Sequence, residues 1–284
     1  MNKAILTKKE AEKALNAQKV GHSFVLLSLD LGKTTEKVFL KENKIIIRDE
    51  EISVKELEKI KENTCYVIEE NKLLAVELFS QETNLYYKLR PTSDWPTIML
   101  SSVPMHRFIH IGPKLHAELM VKEISPVKGK VLDTCCGLGY TSILEAQKDC
   151  EEVIVFERDE NVLEIAKYNP YSEELFTNKK IKLHKQDVFE GVQKLQKNYF
   201  DRILHDPPTV SFAKDLYSPF FYEELLRILK PNGILYHYCP NPGKTKGKEF
   251  YLTIIKQLTK VGFSECKYNE KSSGITAKKL IIKK

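Results

Sequence analysis

Four acidic residues occupy equivalent places in the second half of this 284-residue sequence. Asp133, Glu157, Asp187 and Asp206 each follow a short apolar run that predicts a buried strand. In an open parallel sheet the carboxyl ends of the strands meet at one edge, and ligands bind there. Because carboxylates attract positive charge, the spacing predicts an acid-lined site for a cationic ligand.

The first of these acids opens a glycine loop. Residues 133–141 read Asp-Thr-Cys-Cys-Gly-Leu-Gly-Tyr-Thr and join a predicted strand to a helix predicted over residues 140–148. The two glycines allow positive φ and a close approach of the backbone to a nucleotide. Dinucleotide-binding loops add a third glycine and bind a pyrophosphate, whereas this loop has Ser142 there and an acid that would repel the anion. An ammonium or sulfonium group suits the loop better.

The second and third acids are placed to bind a nucleoside. Glu157 lies eighteen residues after Gly139, which is suitable for a carboxylate that accepts two hydrogen bonds from a ribose diol. Asp187 can accept from the exocyclic amine of adenine, with Val188 and Phe189 against the ring. A single acid of this kind can also be a simple helix cap, so the prediction depends on all four acids occurring in order.

The last acid begins the sequence Asp206-Pro207-Pro208. Two prolines fix φ and remove two N–H groups, so the turn presents carbonyl acceptors. Asp206 and the Pro207 carbonyl can each hold one hydrogen of a target amine and direct its lone pair at an electrophilic carbon. Transfer to the amine would then depend mainly on positioning. The structural alternative is a rigid exit from the strand.

These motifs resemble those of a known enzyme class. The order Asp-x-x-x-Gly-x-Gly resembles motif I of the class I S-adenosylmethionine-dependent methyltransferases, and Asp206-Pro207-Pro208 resembles motif IV of members that methylate base nitrogens. The sequence as a whole is similar to methyltransferases predicted from archaeal genomes. The resemblance implies S-adenosylmethionine as the cofactor. The cofactor-binding residues that it implies are Asp133, Thr134, Cys135, Gly137, Gly139, Tyr140, Thr141, Glu157, Arg158, Asp187 and Val188. The catalytic residues that it implies are His205, Asp206, Pro207 and Pro208.

Strand and helix patterns divide the chain in two. Residues 1–113 predict a small, mostly β N-terminal domain with a role in substrate recognition, in which Gly32 is expected to form a hairpin turn. Residues 114–284 alternate strands, among them residues 181–184 and residues 234–238 after a turn at Pro231-Asn232-Gly233, with helices. They end on two successive strands, which suggest an antiparallel edge pair. Together with the resemblance, this alternation predicts an α/β fold with a Rossmann-like seven-stranded methyltransferase sheet and helices on both faces.

Residues 90–116 predict an extended connection between the two parts. Its residues that could contact a ligand are Trp95, His106, Arg107 and His110. They either lie over the cofactor or pack one domain against the other.

Composition excludes several classes of protein. Hydrophobic residues make up 42% of the chain and charged residues 30%, and no apolar run reaches the roughly 18 residues of a membrane helix. The six cysteines lack disulfide or zinc-site spacing, which fits a reducing compartment. With no signal peptide evident, we expect a cytoplasmic protein that uses neither a membrane nor a metal. The sequence does not predict the oligomeric state.

The net charge of +6 is unevenly distributed. Residues 230–284 contain twelve lysines and three glutamates, a charge of +9, so the rest of the chain carries −3. Binding to phosphate backbones requires such a basic region, although lysines also serve solubility alone.

The sequence leaves the acceptor open among several interpretations. We favour a base nitrogen of RNA, either tRNA or rRNA, although Thr209 stands where the base-nitrogen enzymes usually have an aromatic residue. In the first alternative, Cys239 is a nucleophile for carbon-5 methylation of a pyrimidine, with Lys244, Lys246 and Lys248 at the same mouth. In the second, a methyl or aminoalkyl group is transferred to a small molecule such as a polyamine. In the third, the chain is a binding subunit without turnover.

Overall fold

The computed structural model describes residues 3–239 and 250–280. Lys244, Lys246 and Lys248, for which the sequence predicted a place at the site, lie outside the described residues. The chain forms two compact units. Unit 1 comprises Met1–Lys114 and Asn161–Glu173, and unit 2 comprises Leu115–Glu160 and Glu174–Lys284.

Unit 1 consists mainly of short antiparallel strands. They are β1 (Ile5–Leu6), β2 (Phe24–Leu27), β3 (Glu36–Lys41), β4 (Lys44–Ile47), β5 (Glu50–Ser53), β6 (Tyr66–Glu69), β7 (Lys72–Ala75), β8 (Glu77–Ser80), β9 (Leu85–Arg90), β10 (Thr97–Leu100) and β11 (Val103–Pro104). Within the described residues they form three sheets, with the orders β1-β6-β7, β2-β3-β4-β5 and β8-β9-β10-β11. The helices are α1 (Lys8–Lys19) and α2 (Val54–Leu57). The small side chains of Ala11, Ala14 and Ala17 are buried and let α1 pack closely on the core of this unit.

Two predictions for this region have opposite outcomes. Gly32 lies between the antiparallel strands β2 and β3 with φ +100, so the hairpin turn is confirmed. The extended connection over residues 90–116 is wrong, because β10 and β11 lie within it and β10 pairs with both β9 and β11. Pro91 follows β9 and Pro96 precedes β10, so the prolines bound strands instead of preventing them.

Unit 2 is built on a single sheet. Its strands are β12 (Lys128–Asp133), β13 (Asp149–Phe156), β14 (Ile181–His184), β15 (Phe200–His205), β16 (Leu229–Tyr238), β17 (Ser264–Asn269) and β18 (Gly274–Lys278). Within the described residues the sheet is seven-stranded, with the order β14-β13-β12-β15-β16-β18-β17. The first five strands are parallel, and β18 and β17 are antiparallel to their neighbours, which confirms the antiparallel edge pair.

Helices connect the strands of this sheet. The remaining helices of the described residues are α3 (Pro113–Glu123), α4 (Tyr140–Ala146), α5 (Glu160–Ala166), α6 (Glu173–Thr177), α7 (Val188–Gly191), α8 (Pro219–Ile228) and α9 (Phe250–Val261). Short 3-10 helices cover Pro170–Ser172, Val192–Lys194 and Lys214–Tyr217. Helix α8 illustrates the local rules: Ser218 caps it by accepting from the Phe221 N–H at 3.2 Å, and Pro219 occupies the first turn. The predicted α/β fold, a Rossmann-like methyltransferase sheet with a small β-rich N-terminal part, is confirmed.

Candidate active site

The strand ends of unit 2 bring the predicted acids to one edge of the sheet. Asp133 ends β12, and in the ladders it lies opposite Val155 of β13 and Leu204 of β15. Glu157 follows β13 directly, and Asp206 follows β15. The Thr134 N–H donates to the Leu204 carbonyl at 3.0 Å, so the ladder continues one residue past β12. This is the edge at which a doubly wound sheet binds ligands.

The glycine loop has the backbone geometry that the sequence predicted. Gly137 has φ +54 and Gly139 has φ +79, both in the left-handed region. A Cβ atom at Gly139 would lie 2.9 Å from the nearest side-chain carbon of Leu175, so this position also lacks room. The loop closes through the Gly139 N–H, which donates to the Cys136 carbonyl at 2.8 Å, and α4 begins immediately afterwards. Glycine is therefore required at 139 for two independent reasons.

Asp133 stabilises this loop through two hydrogen bonds. The side chain is fully buried, and one carboxylate oxygen accepts from the Thr141 hydroxyl at 2.6 Å. The other oxygen accepts a longer hydrogen bond, 3.4 Å, from the Cys135 N–H. Burial raises the pKa of Asp133 to about 7, and the nearby Glu157 adds to the rise against these two hydrogen bonds.

Glu157 holds the loop from the neighbouring strand end. Its carboxylate accepts from the Gly137 N–H and from the Asp159 N–H, both at 2.9 Å. Burial raises the pKa of Glu157 to about 7 in spite of these hydrogen bonds. Each oxygen retains a lone pair, so the side chain can still accept from a ligand hydroxyl.

Asp187 and Arg158 form an ion pair at the same edge of the sheet. One Asp187 oxygen caps α7 by accepting from the Phe189 N–H at 2.8 Å, and the other accepts from Arg158 at 3.0 Å. Arg158 also donates to the Phe212 carbonyl at 3.2 Å. The guanidinium thus connects the strand end at Asp187 with the segment that follows the two prolines, while Val188 is buried in the core.

Asp206 has a different environment from the other acids. The residue keeps part of its surface accessible, while the protein around its carboxyl and the nearby charge of Asp133 raise its pKa to about 8. Among the described residues, none of Asp133, Glu157 and Asp206 is paired with a lysine or an arginine. Within the part of the chain that the structure describes, the rim of the site therefore carries three carboxyl groups that no lysine or arginine neutralises, as a cationic ligand would require.

His205, which the sequence assigned to catalysis, lies below this rim. The residue is fully buried, and its Nε2 faces the Leu216 carbonyl at 3.1 Å. A carbonyl can only accept, so Nε2 carries the hydrogen and Nδ1 accepts from the Thr134 hydroxyl at 2.7 Å. Burial and the neighbouring His237 hold the pKa of His205 well below its usual range. Both ring nitrogens are thus engaged by protein atoms, and the ring is neutral.

Tyr140 is almost fully buried, and Cys135 has a thiol whose pKa burial raises. These two predicted cofactor-binding residues therefore contribute to the packing of this edge of the sheet more than to its charge.

Sequence reasoning missed Glu145, a fully buried acid on α4. Within the described part of the chain, neither of its carboxylate oxygens has a hydrogen-bond partner. Burial, with a further contribution from Asp133, raises the pKa of Glu145 well above its usual value, which favours the neutral acid. The acidity of the segment was visible in the sequence, but its burial was not.

Several other predicted residues lie elsewhere or have structural partners. Trp95 is in unit 1, where its ring packs against Tyr171 at 5.1 Å, and His106 is also in unit 1, bonded to Thr97 at 3.0 Å. Arg107 and His110 belong to unit 1 as well. Cys239 is almost fully buried, and burial raises the pKa of its thiol to about 12. A thiol so poorly ionised is a weak nucleophile, which speaks against the carbon-5 alternative.

No helix in the described ranges 3–239 and 250–280 is long and apolar enough to cross a membrane. The same ranges contain no group of three or more His, Cys, Asp or Glu side chains placed to hold a metal ion.

Comparison with known proteins places these features in a class. A spermidine synthase bound to the transition-state analogue AdoDATO has the same fold with a TM-score of 0.58 and 21% identity, covering 71% of each chain. Spermidine synthase from Thermotoga maritima aligns over 90% of this chain and 78% of its own, with a TM-score of 0.56 and 18% identity. The chain therefore shares with these spermidine synthases the Rossmann-like fold described above.

The chain belongs to the family described as conserved hypothetical protein 95, which matches residues 117–268. An uncharacterized protein of Methanocaldococcus jannaschii is 40% identical over 282 residues, which cover 96% of this chain and 95% of the relative. A polyamine aminopropyltransferase of Prochlorococcus marinus is 31% identical over 113 residues, 39% of each chain.

Proposed function

We propose that this protein transfers an alkyl group from an S-adenosylmethionine-type sulfonium nucleoside to an amine nitrogen held by Asp206. The observation that carries the proposal is the group of three strand-end acids, Asp133, Glu157 and Asp206, which no lysine or arginine of the described residues neutralises. A cationic nucleoside and a cationic amine supply the missing charge. The left-handed glycines at 137 and 139 fit the nucleoside part, because they bring the backbone close to it.

The donor supplies an electrophilic carbon next to a sulfonium, and the protein supplies orientation. Glu157 accepts from the ribose hydroxyls, and Asp187, Val188 and Arg158 border the base. Asp133, behind the glycine loop with Thr134 and Thr141, provides negative charge for the ammonium end of the donor.

Asp206 performs the proton chemistry. With a pKa raised to about 8, the carboxylate is basic enough to take a proton from an ammonium, while the Pro207 carbonyl accepts the second amine hydrogen. The nitrogen lone pair then attacks the carbon in line with the C–S bond. That bond breaks towards sulfur, which leaves a neutral thioether nucleoside, and the proton passes from Asp206 to solvent.

For the group transferred, we propose aminopropyl, and for the acceptor a small polyamine. The local similarity to polyamine aminopropyltransferases supports this choice. The charge of the site supports it as well. Decarboxylated S-adenosylmethionine carries two positive charges and no carboxylate, so it suits Asp133, Glu157 and Asp206, which pair with no lysine or arginine of the described residues, better than the zwitterionic methionine end does.

A second candidate is methyl transfer to a base nitrogen of RNA, which the Asp206-Pro207-Pro208 sequence favours. The structure of the basic region gives it less support. Among the described lysines of residues 230–284, Lys230 pairs with Asp201 at 2.7 Å and Lys278 pairs with Glu265 at 2.6 Å. Lys279 donates to the Leu226 and Leu229 carbonyls, both at 2.7 Å, so its charge is used within the fold. For residues 1–113 we propose a role in selecting the acceptor.

A donor and acceptor matrix tests the proposal. The purified protein is incubated with S-adenosylmethionine or decarboxylated S-adenosylmethionine, together with putrescine, spermidine or unmodified tRNA, and products are identified by mass spectrometry. We expect an aminopropylated polyamine from the decarboxylated donor. Methylated tRNA from S-adenosylmethionine would favour the second candidate, and no product with any pair would refute both.

Asp206→Asn tests the role of the carboxylate. Because the substitution is isosteric, we expect donor affinity within about twofold of the original and a loss of turnover of about 10²- to 10⁴-fold. Asp215→Asn is the matched control, since Asp215 is an exposed acid on the same segment. Equal turnover of the two variants would contradict the assignment.

A further inference from the structure

The first two residues after Asp206 provide no N–H groups that could stabilise the turn. Residues 207 and 208 are prolines and donate nothing, so the turn must be fixed from elsewhere. Later in the segment, the N–H groups of Phe212 and Ala213 donate to the Thr209 carbonyl at 2.8 and 3.2 Å. These bonds order the second half of the segment and leave the carbonyls before Thr209 to other partners.

The Pro208 carbonyl accepts a hydrogen bond from the Tyr217 hydroxyl at 2.9 Å. Tyr217 is buried, and its ring lies 5.5 Å from the ring of His237 and 6.0 Å from that of Phe250. Burial and the nearby Asp206 raise the pKa of Tyr217, so the phenol remains a donor. The hydrogen bond is thus made by a buried side chain that neighbouring rings hold in place.

The residue before Tyr217 is anchored as well. The Leu216 carbonyl accepts from His205 Nε2 at 3.1 Å, and His205 Nδ1 accepts from Thr134 at 2.7 Å. These bonds run in one direction, from the end of β12 through β15 to the 3-10 helix Lys214–Tyr217. The hydrogen bond from Tyr217 to the Pro208 carbonyl extends this series of hydrogen bonds. The same series therefore holds both the end of β12, on the donor side of the site, and the segment that carries Asp206, on the acceptor side.

We infer that Tyr217 is a positioning residue: by holding the Pro208 carbonyl it aims the Asp206 carboxylate and the Pro207 carbonyl at the acceptor amine. The inference rests on the proposed function and adds to it a residue that touches neither substrate. His205 has the same kind of role, in place of the catalytic one that the sequence suggested.

Tyr217→Phe and Tyr222→Phe form a matched pair for the test. The Tyr222 hydroxyl donates to His237 Nε2 at 2.9 Å and is equally buried, but it does not contact the Pro208 carbonyl. Each variant loses one buried hydrogen bond, and we expect similar decreases in melting temperature. Only Tyr217→Phe should lower kcat, by about tenfold, with donor affinity within about twofold. Equal kcat for the two variants would overturn the inference.

Hydrogen exchange supplies a readout that does not need turnover. We expect Tyr217→Phe to speed amide exchange in residues 209–216 at least about fivefold, and Tyr222→Phe to leave these amides unchanged. Unchanged exchange in Tyr217→Phe would overturn the inference. If the original protein transfers no group to any amine, the proposed function fails instead, and the exchange experiment still decides whether Tyr217 holds the segment.

Discussion

Donor binding should strengthen as pH rises from 6 to 8. Asp133 and Glu157 each have a pKa raised to about 7, mainly by burial, and a sulfonium nucleoside binds best when they are ionised. A group with a pKa of 7 is about one tenth ionised at pH 6 and about nine tenths ionised at pH 8. The expected gain in affinity over this range is therefore about tenfold if one of the two must ionise, and about a hundredfold if both must.

A rise in pH should have the opposite effect on the stability of the ligand-free protein. A carboxyl whose pKa is higher in the folded than in the unfolded state binds its proton more tightly when folded. The free energy of unfolding of the ligand-free protein should therefore fall as pH rises from about 4 to about 8. Saturating donor should remove the part of this trend that Asp133 and Glu157 contribute, because the bound cation keeps both carboxylates ionised in the folded protein, as they are in the unfolded chain.

Titration calorimetry at pH 6, 7 and 8 measures the affinity. Decarboxylated S-adenosylmethionine is compared with 5′-methylthioadenosine, a neutral thioether that should show little dependence on pH. Asp133→Asn should remove about one factor of ten from the pH dependence, and its binding of the neutral nucleoside reports whether the site is intact. A dissociation constant for the cationic donor that stays constant from pH 6 to pH 8 would refute the reasoning.

Two further substitutions test particular positions. Gly139→Ala should lower the free energy of unfolding by about 1–3 kcal/mol, measured by urea denaturation, because it combines a left-handed φ with the contact to Leu175. Gly21→Ala has a similar φ of +81 with no atom within 4 Å of the new Cβ, so an equal loss there would mean that the contact costs nothing. Cys239→Ala should retain kcat within about threefold in the transfer assay, because the buried thiol has a pKa of about 12; a loss of about a hundredfold would restore the nucleophile interpretation.

The sheet of unit 2 was predictable because its signals are local. Each strand contains a short apolar run, each acid ends its strand or follows it within three residues, and the glycine loop has its own signature in residues 133–141. Strand β14 matches its predicted bounds, residues 181–184. Strand β16 was predicted to begin at Ile234 after a turn, but it begins at Leu229, and Asn232 with φ +63 marks an irregularity inside it. The Pro-Asn-Gly pattern predicts a local turn, but it does not predict whether the strand ends at that turn.

The supports of the site were not predictable, because they depend on how separate elements meet. Tyr217 and Pro208 are joined only when the 3-10 helix folds back on β15, and Tyr222 reaches His237 across α8 and β16. Helix rotation and sheet twist set such distances, and neither leaves a pattern in the sequence. Glu145 is a similar case. Its charge predicts an exposed position, but it lies on a short helix that is buried on nearly all sides.

The placement of Asn161–Glu173 has a practical consequence for cutting the protein into fragments. The chain leaves unit 2 after Glu160 and returns at Glu174, so no single cleavage point yields two self-sufficient pieces. A fragment ending at residue 113 would lose Tyr171, which packs on Trp95 and donates to the Leu31 carbonyl at 3.1 Å. A fusion that joins residues 1–114 to 161–173 through a short linker would preserve these contacts, whereas simple truncation would expose an aromatic surface prone to aggregation.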